Sequence, residues 1–132
     1  ANIVQPIPTP INYMSTHRSG YKQLVNDSFF ETIKKHEDEI NKRDMFFLPK
    51  GNVHMFADKI ETGSLLGITT NMGGLDIAHT GIAIRVENGA LHFMHAPIIG
   101  SKVQITEMTL HDYLASHAKQ TGIIVARALE LK

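Results

Sequence analysis

A chain of 132 residues, 42% hydrophobic and 20% charged, has the make-up of one globular domain with enough material to bury a core. Its 13 basic and 13 acidic residues cancel, which removes the electrostatic case for nucleic acid or an anionic membrane as partner. It has no cysteine, so disulfides, thiolate metal sites and a cysteine nucleophile are excluded within these residues.

The opening ANIVQPIPTP has neither the basic nor the apolar stretch of a signal peptide, and no apolar run approaches the ~18 residues that span a bilayer. Pro6, Pro8 and Pro10 alternate with Ile7 and Thr9, which predicts an extended segment without regular helix over residues 1–20. Ile3, Val4, Ile7, Ile11, Tyr13 and Met14 make it too apolar for a free terminus, so it is expected to pack along the body of the protein.

The clearest helix is SFFETIKKHEDEINKR, residues 28–43. Ser28 and Glu31 have the spacing of a capping box, and Phe29, Ile33, His36 and Ile40 form one stripe at a 3.6-residue period. Residues 45–48 are a short apolar run closed by Pro49 and Gly51, and 53–60 carry only a weak pattern. Residues 65–70 predict a buried strand in which Gly67 marks a close backbone approach, and 71–74 a turn. A hairpin over 76–97 is followed by a short strand at 103–105. Thr109 and Asp112 then cap a helix expected to run to about Lys119, with Leu110, Tyr113 and Leu114 inward. A turn at 120–122 leads into a last strand over 123–129. Strands gathered after residue 64, with one helix among them, favour an antiparallel sheet with flanking helices, the α+β class.

The hairpin, DIAHTGIAIRVENGALHFMHAP, begins just after His79 and closes on His95, with Asn88-Gly89 at its tip. A two-residue turn would pair Glu87 with Ala90 and put the two histidines on opposite faces. A three-residue loop, Glu87 to Gly89 with Gly89 left-handed, pairs Val86 with Ala90 and opposes His95 to Gly81. That register places His79, Gly81, Ala83 and His95 on one face and the apolar set Ile82, Ile84, Val86 and Met94 on the other. The three-residue loop is the expected one. Two imidazoles so placed read as a base with its orienting partner, as metal ligands, or as residues that simply end strands. His92 and His95 stand three apart on a strand and so point to opposite faces, and neither an HExxH helix nor a Cys/His cluster supports a metal site. His17, His54, His111 and His117 occupy polar or helix-surface contexts that read as solvated.

A histidine opening a strand as His79-Thr80-Gly81-Ile82, a glycine-containing turn and an apolar strand ending in His95-Ala96 resemble the core of NlpC-type, papain-like cell-wall hydrolases. PTPINYMSTH, EINKR, LPK, the hairpin, KVQI and GIIVARAL, in this order, resemble the N-acetylmuramoyl-L-alanine amidase-like branch. The resemblance runs from about Pro8 over nearly the whole chain. It implies that His79 is the histidine that activates a cysteine thiol and protonates the leaving amine, and that His95 orients it. It places Tyr13, Ser15 and His17 near the cleft as substrate contacts. The implied substrate is a peptidoglycan fragment, a muropeptide, cut between its lactyl group and L-alanine in the cell envelope or periplasm; no metal or organic cofactor is implied.

Two local departures are Gly63-Ser64 where the branch usually has Gly-Asp, and His95-Ala96-Pro97 for the commoner His-Ala-Ser. The larger departure is the cysteine, which such proteins carry on a helix upstream of everything matched here. The resemblance therefore implies an incomplete papain-like, NlpC-type α+β fold, residues 1–132 being the C-terminal portion of one amidase-like domain. Three readings follow: an amidase-like domain without its nucleophile, a muropeptide-binding module, or a structural fragment. A sheet face stripped of a helix would expose apolar surface, from which a homodimer is expected.

Overall fold

The computed structural model of the chain describes residues 2–98 and 100–130. In chain order it contains β1 (Gln5–Pro6), α1 (Tyr13–Thr16), α2 (Asp27–Asn41), β2 (Phe46–Pro49), α3 (Val53–Phe56), β3 (Leu65–Thr70), β4 (Ile77–Arg85), β5 (Leu91–His95), β6 (Gln104–Ile105), α4 (Leu110–Ser116) and β7 (Gln120–Ala126). The strands form one antiparallel sheet in the order β1-β2-β7-β3-β4-β5-β6. It is an α+β architecture, and β3, β4 and β7 form its centre.

Opposed residues in antiparallel strands share a face. On one face Leu66 and Ile68 of β3, Ala83 of β4, Leu91 and Phe93 of β5 and Ile123 of β7 are buried together. Val53, Ile60, Leu110 and Leu114 close over them from α3, the turn after it and α4. This is the histidine-bearing face, so the principal core lies there. Ile82, Ile84 and Met94 of the opposite face are only half-buried. Gly81 makes room for this packing, since a Cβ there would lie 2.6 Å from Cδ2 of Phe93. On the other face, Ile7, Ile11 and Phe47 form a second cluster with Ile40, Met45 and Ile124. Beside it an apolar hollow of about 440 Å³, lined by Leu65, Gly67, Ile77, Ile82 and Ile124, stands open.

The opening segment packs along the body, but it also holds the short helix α1, where an extended chain was expected. Its start is fixed from outside: the Gly74 carbonyl accepts from both Asn12 N and Tyr13 N at 2.9 Å, and Glu37 Oε1 accepts from Ser15 N at 3.1 Å. Asn41 clasps the strap just before it, accepting from Ile11 N at 2.8 Å and donating to Ile11 O at 3.0 Å. In α2 the cap is Asn26, not Ser28. Its side chain accepts from Ser28 N and Phe29 N, and the orphan donors of the first turn are met two residues earlier than the capping box implies. The buried face is rotated accordingly. Phe29 is 55% exposed and His36 exposed, while Glu37 is buried and Ile33 and Ile40 face inward.

Near the C-terminus, Thr109 caps α4 by accepting from Asp112 N, as the sequence predicts, but the helix ends at Ser116. Residues 120–122 are strand, not turn. Gly122 opposes Pro49 of β2, and a Cβ there would collide with the Leu48 carbonyl oxygen, so it serves close strand approach and not chain reversal. Gly122→Ala is expected to cost about 1–3 kcal/mol of stability in chemical denaturation, the usual penalty of overpacking. An unchanged midpoint would show that β2 and β7 are not held this close.

Candidate active site

The position of β5 on β4 follows from the turn between them. Val86 N donates to the Ala90 carbonyl and Gly89 N to the Val86 carbonyl, with Gly89 at φ 81°, so the loop has three residues. The pairs Ile82–Met94, Ala83–Phe93, Ile84–His92 and Arg85–Leu91 continue that register toward the open end. Arg85 locks the tip, donating to Gly89 O and to the carbonyls of Ala57 and Ile60.

At the open end the two histidines meet. His79 Nε2 lies 2.8 Å from His95 Nδ1, with ring centroids 5.1 Å apart and planes at 77°. His95 is buried and His79 half-buried. The ring of His95 rests on Phe93 at 4.5 Å and meets the edge of Tyr113 at 5.7 Å, so its orientation is set by the core. Among the described residues, nothing hydrogen-bonds Nδ1 of His79. Burial pushes the pKa of both imidazoles below the ordinary histidine value, most directly for His79, to which the charge of His117 adds. His79 and His117 add in the same direction at His95. A neutral imidazole shares one proton between its two nitrogens, so one member of the pair donates and the other accepts. If His79 is the donor, its Nδ1 is a free lone pair, which is what a general base requires.

The remaining expected site residues lie elsewhere. Tyr13, Ser15 and His17 sit on or at the end of α1, and among the described residues no hydrogen bond or ring contact joins them to His79 or His95. Tyr13 and His17 stack at 4.0 Å with planes at 15°, and His17 Nδ1 lies 2.9 Å from the Tyr13 carbonyl. Ser15 is engaged through its backbone with Glu37 and through Oγ with the Asn12 carbonyl. His92 points away from the pair, its Nδ1 donating to the Thr106 carbonyl at 2.7 Å. His111, read as solvated, is half-buried with an unpartnered Nδ1. His117 is exposed, as expected, and is also fixed in place, stacked on Tyr113 at 4.2 Å. A groove of about 400 Å³ runs from His95 past Gln104, Thr106 and Tyr113 to His117.

The fold is that of an α+β protein with an antiparallel sheet and flanking helices. The chain belongs to the AmiA-like family, N-acetylmuramoyl-L-alanine amidase-like, whose model matches residues 1–123. Among solved structures it is 34% identical to an N-acetylmuramoyl-L-alanine amidase from Bacteroides uniformis, covering 93% of this chain and 56% of that one with a TM-score of 0.77. A second structure of that description from the same organism is 35% identical over 92% of this chain and 52% of the other, TM-score 0.76. A Bacteroides fragilis protein provisionally named a xylanase is 32% identical, covering 95% and 54%, TM-score 0.80. The chain thus spans just over half the length of these relatives. No curated protein matches it.

Because folding keeps the histidine pair neutral, the unfolded chain binds more protons as pH falls. The stability contributed by this pair is therefore complete above the ordinary histidine value of 6.5 and is lost as pH drops through the lowered folded values. Denaturation curves from pH 7.5 to 5.0 should show that loss, and a His79→Gln/His95→Gln chain should show a shallower acid-side slope. An identical slope in the two proteins would contradict the assignment.

Proposed function

We propose that this chain is the base-bearing part of a papain-like peptidoglycan amidase, acting on muropeptides in the cell envelope. The observation that carries the reading is the His79 Nε2 to His95 Nδ1 bond, with Nδ1 of His79 free of a partner among the described residues. Family membership supports the substrate class. Where a thiol is presented to His79, Nδ1 takes its proton as the sulfur attacks the lactyl carbonyl. The same proton then passes to the nitrogen of the departing L-alanine, and His79 deprotonates the water that releases the acyl group. His95 accepts from Nε2 throughout, holding the tautomer of the neutral base and stabilising the imidazolium that forms. Tyr13 and His17 offer a flat stacked face beside Ser15 for contact with substrate.

These 132 residues contain no cysteine, so the roles of His79 and His95 are idle within them and the chain by itself binds without cutting. Titration of the chain with N-acetylmuramoyl-L-alanine should shift the His79 imidazole resonances and release no free alanine. His79→Ala should weaken binding about fivefold, the worth of roughly one hydrogen bond. Hydrolysis by the unaltered chain would contradict the missing nucleophile, and a ligand that leaves His79 undisturbed would contradict the site.

A further inference from the structure

His111 differs from the other histidines in what it lacks. It is half-buried, its Nδ1 is shut off from solvent, and no hydrogen-bonding partner reaches that atom among the described residues. A buried nitrogen without a partner is uncommon in a folded protein and marks a place for an ion or a water. The ring of His54 meets that of His111 edge-on, with centroids 5.2 Å apart and planes at 63°. Among the described residues, no hydrogen bond joins the two rings to each other or to any other group.

The backbone fixes this pair. His54 follows Val53 in α3 and His111 follows Leu110 in α4, and Val53 and Leu110 are both fully buried in the principal core. Each imidazole therefore stands on an anchored stretch of chain. The two rings line a hollow of about 270 Å³ together with Ala57, Ala90, Leu91 and Thr109. A buried water needs several polar partners, whereas this lining is largely aliphatic and the Thr109 hydroxyl is already engaged by Asp112 N.

Two imidazoles that bind one tetrahedral ion through nitrogens at about 2.0–2.1 Å have nitrogens about 3.3 Å apart and ring centroids about 5 Å apart. His54 and His111 have that centroid spacing. His79 and His95 are equally close, at 5.1 Å, but their nitrogens lie 2.8 Å apart and share a proton. That pair is closed to an ion, and this one is open. Among the described residues, no three His, Cys, Asp or Glu side chains are grouped to hold a metal. An ion here has two protein ligands and keeps its other positions for water. Imidazole suits zinc, copper and nickel, whereas magnesium and calcium take oxygen ligands.

We infer that His54 and His111 form a site for a divalent transition-metal ion, with Nδ1 of His111 and one nitrogen of His54 as its ligands. His54 is exposed and gives the ion its way in. The bound ion ties α3 to α4 where both close over the core, and α4 also carries Tyr113, whose ring meets that of His95. Metal therefore stabilises the helix that abuts the imidazole pair. The inference stands independently of the amidase reading.

The test uses the 132-residue chain, stripped of metal with EDTA and titrated with zinc chloride at pH 7.5. Binding is followed by calorimetry, by thermal unfolding and by imidazole ¹⁵N spectra. One zinc should bind, Tm should rise with zinc and not with magnesium, and Nδ1 of His111 should be the coordinated nitrogen. His54→Gln and His111→Gln should each weaken zinc binding about tenfold or more, at least what the loss of an outer-shell partner costs. His36→Gln, which removes an exposed histidine of α2, should leave zinc binding unchanged. His54 is exposed, so His54→Gln carries the test alone if His111→Gln fails to fold. A Tm that ignores zinc, or a zinc affinity unaltered by His54→Gln, overturns the inference. So does zinc held by His79 and His95, or by His111 through Nε2.

Discussion

The left-handed backbone of Gly89 sets the register of the hairpin on which both core and imidazole pair depend. It allows a three-residue loop, which pairs Val86 with Ala90, and every pair from Arg85–Leu91 to Ile82–Met94 follows in step. A one-residue slip in a sheet sends each side chain to the opposite face. With Glu87 paired to Ala90, Phe93 would leave Ala83 and the core, and His95 would leave His79. The register that buries Phe93 is thus the register that builds the imidazole pair, and stability and site are selected together. Gly81 serves both, because only a residue without a Cβ leaves space for the Phe93 ring directly beside His79.

A second set of contacts ties the N-terminal strap to the same region. Asn41 holds Ile11, Glu37 holds Ser15, and Gly74 holds the start of α1 just before β4 begins. The segment carrying Tyr13 and His17 is therefore anchored both to α2 and to the turn that delivers His79. The two clamps, Tyr13–His17 and Tyr113–His117, reach the sheet by different routes. Their geometry is alike: in each, a helix end fixes an imidazole against the tyrosine four residues earlier and that tyrosine's carbonyl.

Much of this was legible in the residues. Asn88-Gly89, and the sorting of small from bulky residues along β4, pointed to the correct loop, and Thr109 to the correct cap. The failures have physical causes. Asn26 and Ser28 are both capping residues, and only the extended backbone at Asn26 decides between them. Phe29 and Phe30 are adjacent, so the helical period alone does not say which turns inward. The burial of Glu37 depends on Ser15 N, contributed by a segment 22 residues away. Gly122 resembles a turn glycine until β2 is laid against it. The fixed state of His117 could have been found, since Tyr-x-x-Ser/Thr-His occurs twice at i, i+4 spacing. His117 is exposed, as its helix-surface context implies, and it is fixed as well. The apolar Ile82, Ile84 and Met94 were a coherent set, but the larger core formed on the other face, because Phe93 and α4 fill the space above the small residues.

The account depends on the direction of one hydrogen bond. If His79 is the base and His95 its orienting partner, the proton between them belongs to His79 Nε2 and the lone pair to His79 Nδ1. Long-range ¹H–¹⁵N correlation spectra of the imidazoles at pH 7.5 report the tautomer of each ring directly. The account predicts His79 protonated at Nε2, with His95 Nδ1 as acceptor and its proton on Nε2. His79 protonated at Nδ1, with His95 Nδ1 as the donor, would leave no base facing a nucleophile and would contradict it.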